Sequence, residues 1–392
     1  MSKRKELWQQ MEWKIPLFDL NFGEAEKQAV NAVMDSKWIS AGSKTAEFES
    51  RFAEMNGVQH AVAVNSGTAA LHLAVLCLGI GPGDEVIVPS LTFAATANAV
   101  YYTGARPVFA DVVSTNDLTI APQDIEQKIT PRTKAIMVMH YGGFACDMDA
   151  ILAIADKYHL AVIEDAAHAP GATYKGKKTG TIGDVGAFSF FSNKNITTAE
   201  GGMLVTNNKD IANQARLLRS HGMTTSSYDR AQGHATKYDI RQVGFNYRLD
   251  DIRSAIGLVQ LEKLAEDLRQ RKALAGLYHR LLAGLAEITV PFAGKTDTST
   301  NYIFPIVLNE NCAIERDEFR ARLEQVYGIQ TSMHYPPVHK FTQYEDHRTV
   351  LPVTDYIVSH ELTLPIYYAM TAEQVSYVCQ SVRQILTGRG SR

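Results

Sequence analysis

The sequence predicts an α/β fold, with a large domain on a doubly wound, mostly parallel mixed sheet and a smaller C-terminal α+β domain. Three observations carry that expectation. Short apolar runs alternate with helix-length stretches from about residue 60 to residue 206, the pattern of a wound parallel sheet. The chain of 392 residues exceeds what one hydrophobic core supports. Beyond residue 206 the alternation gives way to a polar stretch, one long helix and a shorter mixed segment.

Taken in order, residues 61–64 read as a strand and 68–78 as a buried helix, broken by Gly79-Ile80-Gly81-Pro82-Gly83. Residues 85–88 are a second strand, and 92–103 a helix ending before Gly104. Residues 108–112 and 135–140 are strand-like, and 148–158 has helical periodicity leading into a strand at 160–163. Strands at 186–191 and 203–206 close the series. A helix at 210–220 precedes the polar segment 221–243, whose length suits a functional or interfacial loop or plain disorder. A long amphipathic helix spans about 250–285, with Ile252, Ile256, Val259, Leu261, Leu264 and Leu268 on its apolar side. A strand near 302–308 and helices near 316–327 and 372–386 complete the chain. The boundary is placed inside the long helix, giving domains 14–265 and 266–392.

Composition narrows the function classes. Hydrophobic residues make up 45% and charged residues 21%, and the net charge of −3 creates no global field for nucleic acid or an anionic membrane. Residues 1–8 are basic but run into polar sequence, without the apolar core of a signal peptide. No run approaches the roughly 20 apolar residues that span a bilayer. Cys77, Cys146, Cys312 and Cys379 lie far apart and form no Cys-x-x-Cys pair, which argues against a disulfide framework or a zinc site and for buried reduced thiols; no metal is expected. The expectation is a cytoplasmic protein.

Three motifs carry chemistry. Ser66-Gly67-Thr68 follows a buried strand and opens a helix; free amides, a glycine and two hydroxyls suit a phosphate, and an ordinary N-cap explains the serine equally well. Glu164-Asp165 ends a buried strand, where a doubly wound fold gathers its ligands, although paired carboxylates also mark solvated turns. Lys194 follows the aromatic run from Phe188 to Phe191 and precedes Gly201-Gly202, so apolar walls would ease loss of its proton. A phosphate cradle, a strand-end carboxylate and a strand-end lysine, in that order, are what pyridoxal 5′-phosphate (PLP) requires. The carboxylate keeps the pyridine nitrogen protonated and the lysine forms the Schiff base. His168, one turn after Asp165, could reach the ring hydroxyl or serve as a core histidine.

Glu164-Asp-Ala-Ala-His168, the run from Phe188 to Gly202 and Gly244-Phe-Asn-Tyr-Arg-Leu-Asp-Asp-Ile252 resemble the DegT/DnrJ/EryC1/StrS family of sugar aminotransferases. The likeness runs from Trp38-Ile-Ser-Ala-Gly42 to Met333-His-Tyr-Pro-Pro-Val-His339. It implies the fold-type I aminotransferase architecture and a homodimer whose active sites are shared. By position, Lys194 would hold PLP, Asp165 would pair with the pyridine nitrogen, and His168 would lie near the ring oxygen. Phe93 would stack on the ring, or else be a core aromatic. Ser66, Gly67, Thr68 and Ser189 would hold the phosphate. Asn246 would reach the neighbouring subunit's phosphate, or else form a turn. His334 and Tyr335 would approach the substrate.

The resemblance further implies transfer of an amino group from L-glutamate to a keto-sugar, most closely C4 of a 4-keto-6-deoxy nucleotide sugar. Transfer at C3 of a 3-keto nucleotide sugar and amination of a keto-cyclitol are the alternatives. One family branch carries histidine in place of the lysine and dehydrates; Lys194 points to transamination. A regulatory PLP-fold protein would show a damaged constellation or an added DNA-binding domain. A cysteine desulfurase would need a cysteine in a mobile loop, and none of the four sits in one.

Overall fold

Buried apolar runs bounded by turns build the large sheet of this computed structural model, which describes residues 13–225, 228, 233, 237–347 and 349–388. The basic N-terminal octapeptide and the centre of the 221–243 segment lie outside the described residues. Helices α1 (Glu24–Asp35) and α2 (Ser43–Asn56) precede strand β1 (His60–Val64) and helix α3 (Gly67–Cys77). Then come β2 (Glu85–Pro89), α4 (Ala94–Tyr101), β3 (Arg106–Ala110), β4 (Thr133–Met139), α5 (Met148–Tyr158), β5 (Ala161–Asp165), β6 (Val185–Ser189), β7 (Gly202–Thr206) and α6 (Lys209–Leu218). The spatial order is β1-β7-β6-β5-β4-β2-β3. Strand β7 runs antiparallel to β1 and β6, and the other neighbours are parallel, so the sheet is mixed. In this arrangement the carboxyl ends of β5 and β6 lie side by side, with Asp165 in register with Ala187.

The long helix α7 (Asp251–Leu282) packs on two cores in succession. Leu258 and Leu264 join Phe48, Phe52, Phe188 and Phe190 beside the large sheet. Leu274, Ala275, Tyr278 and Leu282 join the apolar side of a small antiparallel sheet, β8 (Ile288–Thr289), β9 (Phe304–Leu308) and β10 (Glu361–Leu364). Helices α8 (Arg316–Tyr327), α9 (Pro352–His360) and α10 (Ala372–Thr387) complete this part, and Ile15 bridges Ile329. Between the two cores Asp267 and Arg271 form a buried ion pair of 2.8 Å, and Arg271 Nη1 donates to the Ile366 carbonyl at 3.0 Å. No helix among the described residues is long and apolar enough to cross a membrane.

Helices α1 and α2 were not foreseen, for a physical reason. Phe48, Phe52 and Met55 put a short apolar stripe on α2 amid charged and small residues, and α1 buries only Glu26 and Val33. Polar groups of α7 hold α1 and add to the apolar packing of α2. Lys263 Nζ and Gln260 Nε2 donate to Glu26 Oε1 at 2.6 and 2.8 Å. The N-terminus of α2 begins at Gly42, which has no side chain to cap it. Asp251 does so from a distance, accepting from the backbone N–H groups of Gly42 (2.8 Å), Lys44 (3.2 Å) and Thr45 (2.9 Å) and from the Thr45 hydroxyl (2.8 Å). Replacing this buried acceptor would strand several donors at once. Asp251→Ala is expected to lower stability by about 2–3 kcal/mol in denaturant unfolding, against a few tenths for Glu262→Ala on the exposed face of the same helix.

Candidate active site

The carboxyl edge of the large sheet opens into a cavity of about 350 Å³. Ser66, Gly67, Thr68, Phe93, Asp165, His168, Ser189, Lys194, His334 and Tyr335 all line it. Of the expected site residues only Asn246 does not. It is exposed, pairs with Ser220 through its backbone and accepts a 3.3 Å hydrogen bond from Asn65 Nδ2 at its carbonyl.

The phosphate-cradle motif folds as its residue types require. The Ser66 hydroxyl caps α3 by accepting from the Ala69 N–H at 3.1 Å, so the N-cap reading holds for its side chain. Gly67 and Thr68 occupy the first turn, where backbone N–H groups have no intrahelical acceptor. A Cβ on Gly67 would lie 2.8 Å from Ser189 Cβ, so only glycine lets the helix start approach the end of β6 this closely. A Cβ on Gly202 would meet the Ser66 carbonyl at 2.4 Å, which imposes the same constraint from β7.

The paired acids of β5 are both buried, which removes the solvated-turn reading. They face opposite ways, as successive strand residues must. Glu164 accepts from the N–H groups of Gly180, Ile182 and Gly183 at 2.6–2.7 Å and from His140 Nε2 at 2.8 Å, and so ties down the turn before β6. Asp165 faces the cavity. It accepts from Thr96 Oγ1 at 2.8 Å and the Ala167 N–H at 3.1 Å. The single Thr96 proton is thereby used, so the Thr92 hydroxyl donates to Thr96 at 2.7 Å. Burial raises the Asp165 pKa against the pull of these hydrogen bonds and of Lys194.

Lys194 is half-buried beside it, and desolvation of its amine lowers its pKa to about 7, with Asp165 opposing. Its Nζ lies over the Tyr302 ring, 4.4 Å from the centroid. The Tyr302 ring packs on His168 at 4.2 Å. His168 is held neutral by burial, its pKa well below the usual imidazole range. Its Nδ1 accepts from the Gly142 N–H at 3.3 Å, which leaves the proton on Nε2 to donate to the Tyr335 hydroxyl at 2.9 Å. Phe93 is 57% exposed at the cavity mouth, with its ring 5.8 Å from that of Tyr335, so it is not a core aromatic. Tyr302, Thr96, Asn193 and Glu200 were not anticipated. Thr96 had a local signal, a hydroxyl one turn beyond Thr92, whereas Tyr302 comes from a distant loop with no motif around it.

These residues fit PLP. A helix start with a glycine forced against Ser189, a buried carboxyl and a half-buried amine near neutrality share one cavity with an exposed aromatic ring at its mouth.

Residues 21–383 match the model of the DegT/DnrJ/EryC1/StrS aminotransferase family. The chain belongs to that family. This aminotransferase is 43% identical over 367 residues to a GDP-perosamine synthase of Caulobacter vibrioides, covering 92% of this chain and 95% of that protein. It also resembles the PLP form of the sugar aminotransferase Spr1654 from Streptococcus pneumoniae, with a TM-score of 0.88 and 30% identity, covering 96% of this chain and 100% of the other. A third likeness is to DesI in the presence of its TDP-sugar product, with a TM-score of 0.84 and 30% identity, covering 94% and 92% of the two chains. The aminotransferase is thus a PLP-dependent enzyme of fold-type I.

Lys194→Ala is expected to abolish borohydride-reducible cofactor attachment and to lower turnover by on the order of 10²–10⁴-fold. Retained reducible attachment would exclude Lys194 as the anchor. Asp165→Asn is expected to bind cofactor and lose most turnover; near-normal activity would remove the carboxylate from the pyridinium role.

Proposed function

We propose that this aminotransferase moves an amino group from L-glutamate to a nucleotide-linked keto-sugar, at C4 of a 4-keto-6-deoxy sugar. The observation that carries the reading is the half-buried Lys194 amine, lowered to about 7 and sharing a cavity with the raised carboxyl of Asp165. A lysine near neutrality can both accept and return a proton, as amino transfer in two half-reactions requires. The names of the relatives, one a GDP-perosamine synthase and one described in the presence of its TDP-sugar product, support a nucleotide sugar.

PLP would supply the electron sink for the carbon from which a proton is removed. Gly67, Thr68 and Ser189, with the Ser66 end of α3, would hold its phosphate. Asp165 would hold a proton on the pyridine nitrogen, since a buried carboxylate is stabilised by an adjacent cation. Thr96 and the Ala167 amide keep that carboxylate oriented. His168, fixed as the Nε2–H tautomer, holds Tyr335 at the substrate side. Lys194 Nζ would take the proton from the α-carbon of glutamate and give it up to the cofactor within the first half-reaction, and would carry a proton the reverse way, to the sugar carbon, in the second. Tyr302 excludes water beneath that amine.

The working unit in this reading is a cytoplasmic homodimer with domains 14–265 and 266–392 in each subunit. Lys194 is the single lysine or arginine among the described cavity-lining residues, so a dicarboxylate donor and a diphosphate need cations from elsewhere. Asn246, exposed on its own subunit, neighbours Arg248, which lines a second cavity with Arg216, Arg219 and Arg241. In the dimer this face would serve the adjoining active site.

A panel of 4-keto and 3-keto nucleotide sugars and a keto-cyclitol, each with glutamate, checks the acceptor. The expected outcome is amination of a 4-keto-6-deoxy nucleotide sugar with ping-pong kinetics. Amination of the 3-keto sugars or the cyclitol alone would overturn the C4 assignment.

A further inference from the structure

Strand β10 is buried on both faces, and only one of them is apolar. Leu362 and Leu364 enter the core of the small lobe, while Glu361 and Thr363, two residues apart, point the other way at 2% and 1% exposure. A buried polar face needs partners to offset its desolvation, and here they come from the segment that carries His334. The backbones of Ser332 and Thr363 pair reciprocally at 3.2 and 2.8 Å. The Glu361 carboxyl accepts from the His334 N–H at 3.0 Å with one oxygen and meets the Thr363 hydroxyl at 2.6 Å with the other. That hydroxyl lies 2.9 Å from His334 Nδ1. The Tyr141 hydroxyl donates to the His334 carbonyl. Backbone N–H, carbonyl and Nδ1 of His334 are thus all engaged, and Nε2 is the nitrogen left for the cavity that His334 lines.

We propose that Thr363 and Glu361 are positioning residues that set the tautomer of His334, and with it whether Nε2 offers the substrate a donor or an acceptor. A threonine hydroxyl has one proton, so the chain has one sense at a time. With Glu361 ionised, Thr363 donates to the carboxylate and accepts from Nδ1–H, leaving Nε2 a bare acceptor. With Glu361 protonated, its O–H donates to Thr363, Thr363 donates to Nδ1, and the ring proton resides on Nε2. In passing from the first state to the second, Glu361 gains a proton, Nδ1 releases one and Nε2 takes one up, so the ring stays neutral.

The surroundings place this change in a useful range. Burial pushes the Glu361 carboxyl up to about 8, against Thr363, the His334 amide and Arg316. Burial, and then the charge of Lys194, holds His334 down to about 3, so its ring is neutral throughout. The other groups facing the pair are Tyr141 and Tyr335, whose hydroxyls burial holds well above the usual range, and neutral His168. Below pH 8 the carboxyl is protonated and Nε2–H is a donor; above it, Nε2 is an acceptor. On the keto-sugar reading above, on which the use of this group rests, the donor state meets a sugar oxygen.

The test is the ring-nitrogen signals of His334 in histidine-¹⁵N-labelled holoenzyme, assigned by their loss in His334→Gln and followed from about pH 6 to about pH 10. The expected result is an Nε2–H pattern that converts to Nδ1–H with a midpoint near 8. Glu361→Gln, whose amide can donate to Thr363 and whose carbonyl can accept the His334 N–H, should stay Nε2–H throughout. Thr363→Val should abolish the transition and lower kcat/KM for the sugar about tenfold, the scale of one hydrogen bond, and Thr363→Ser should restore both. One unchanging tautomer in the unsubstituted enzyme, or a transition that survives Thr363→Val, would overturn the proposal. The Thr363 pair keeps the test decisive should Glu361→Gln not fold. The signals need no sugar, so a wrong acceptor assignment would alter the kinetics and leave them in place.

Discussion

The site depends on taking an amine and a carboxyl out of water in the same cavity. Desolvation opposes the charged form of each, and it moves them in opposite senses: Lys194 falls to about 7 and Asp165 rises. Their mutual attraction works against both shifts without cancelling them. The result is a pocket in which protons are held loosely and a cationic ring nitrogen would be welcome. Tyr302 extends this by packing its ring against the amine and against His168, which in turn donates to Tyr335.

The sheet makes that arrangement affordable. Strand β5 carries acids on both faces, and the structure treats them differently. Glu164 is saturated by three backbone amides and His140, whereas Asp165 keeps its face to the cavity with two donors. The first locks the turn that leads into β6, and β6 leads to Ser189 and then to Lys194. One strand end therefore both presents a functional carboxyl and orders the neighbouring strand that delivers its partner.

Strand-end chemistry was the legible part of the site. Ser66-Gly-Thr, Asp165, His168 and Lys194 follow short apolar runs, and the position of a side chain at the edge of a wound sheet follows from the run that precedes it. Most of the strands and the helix at Met148–Tyr158 were readable for the same reason. Tyr302 was not, because its place rests on contacts with residues far away in the chain, and Thr96 showed only its spacing from Thr92 and not its bond to Asp165. Helix α1 was missed because polar contacts with α7 hold it and periodicity registers only apolar faces, and the apolar stripe of α2 is short. Asn246 could not be decided from sequence, since a turn and a reach toward another subunit both call for an exposed asparagine.

The remote cap on α2 has a consequence for synthesis. Asp251 lies 206 to 209 residues beyond the amides it satisfies, and the α7 groups that hold Glu26 lie 234 and 237 residues away. When the first two helices leave the ribosome, the groups that complete them have not been translated. The central strands can assemble from sequence already made, while the N-terminal helices wait for the long helix. Helices α1 and α2 are therefore among the last parts to reach their final state, and shielding them through that interval falls to whatever meets the nascent chain.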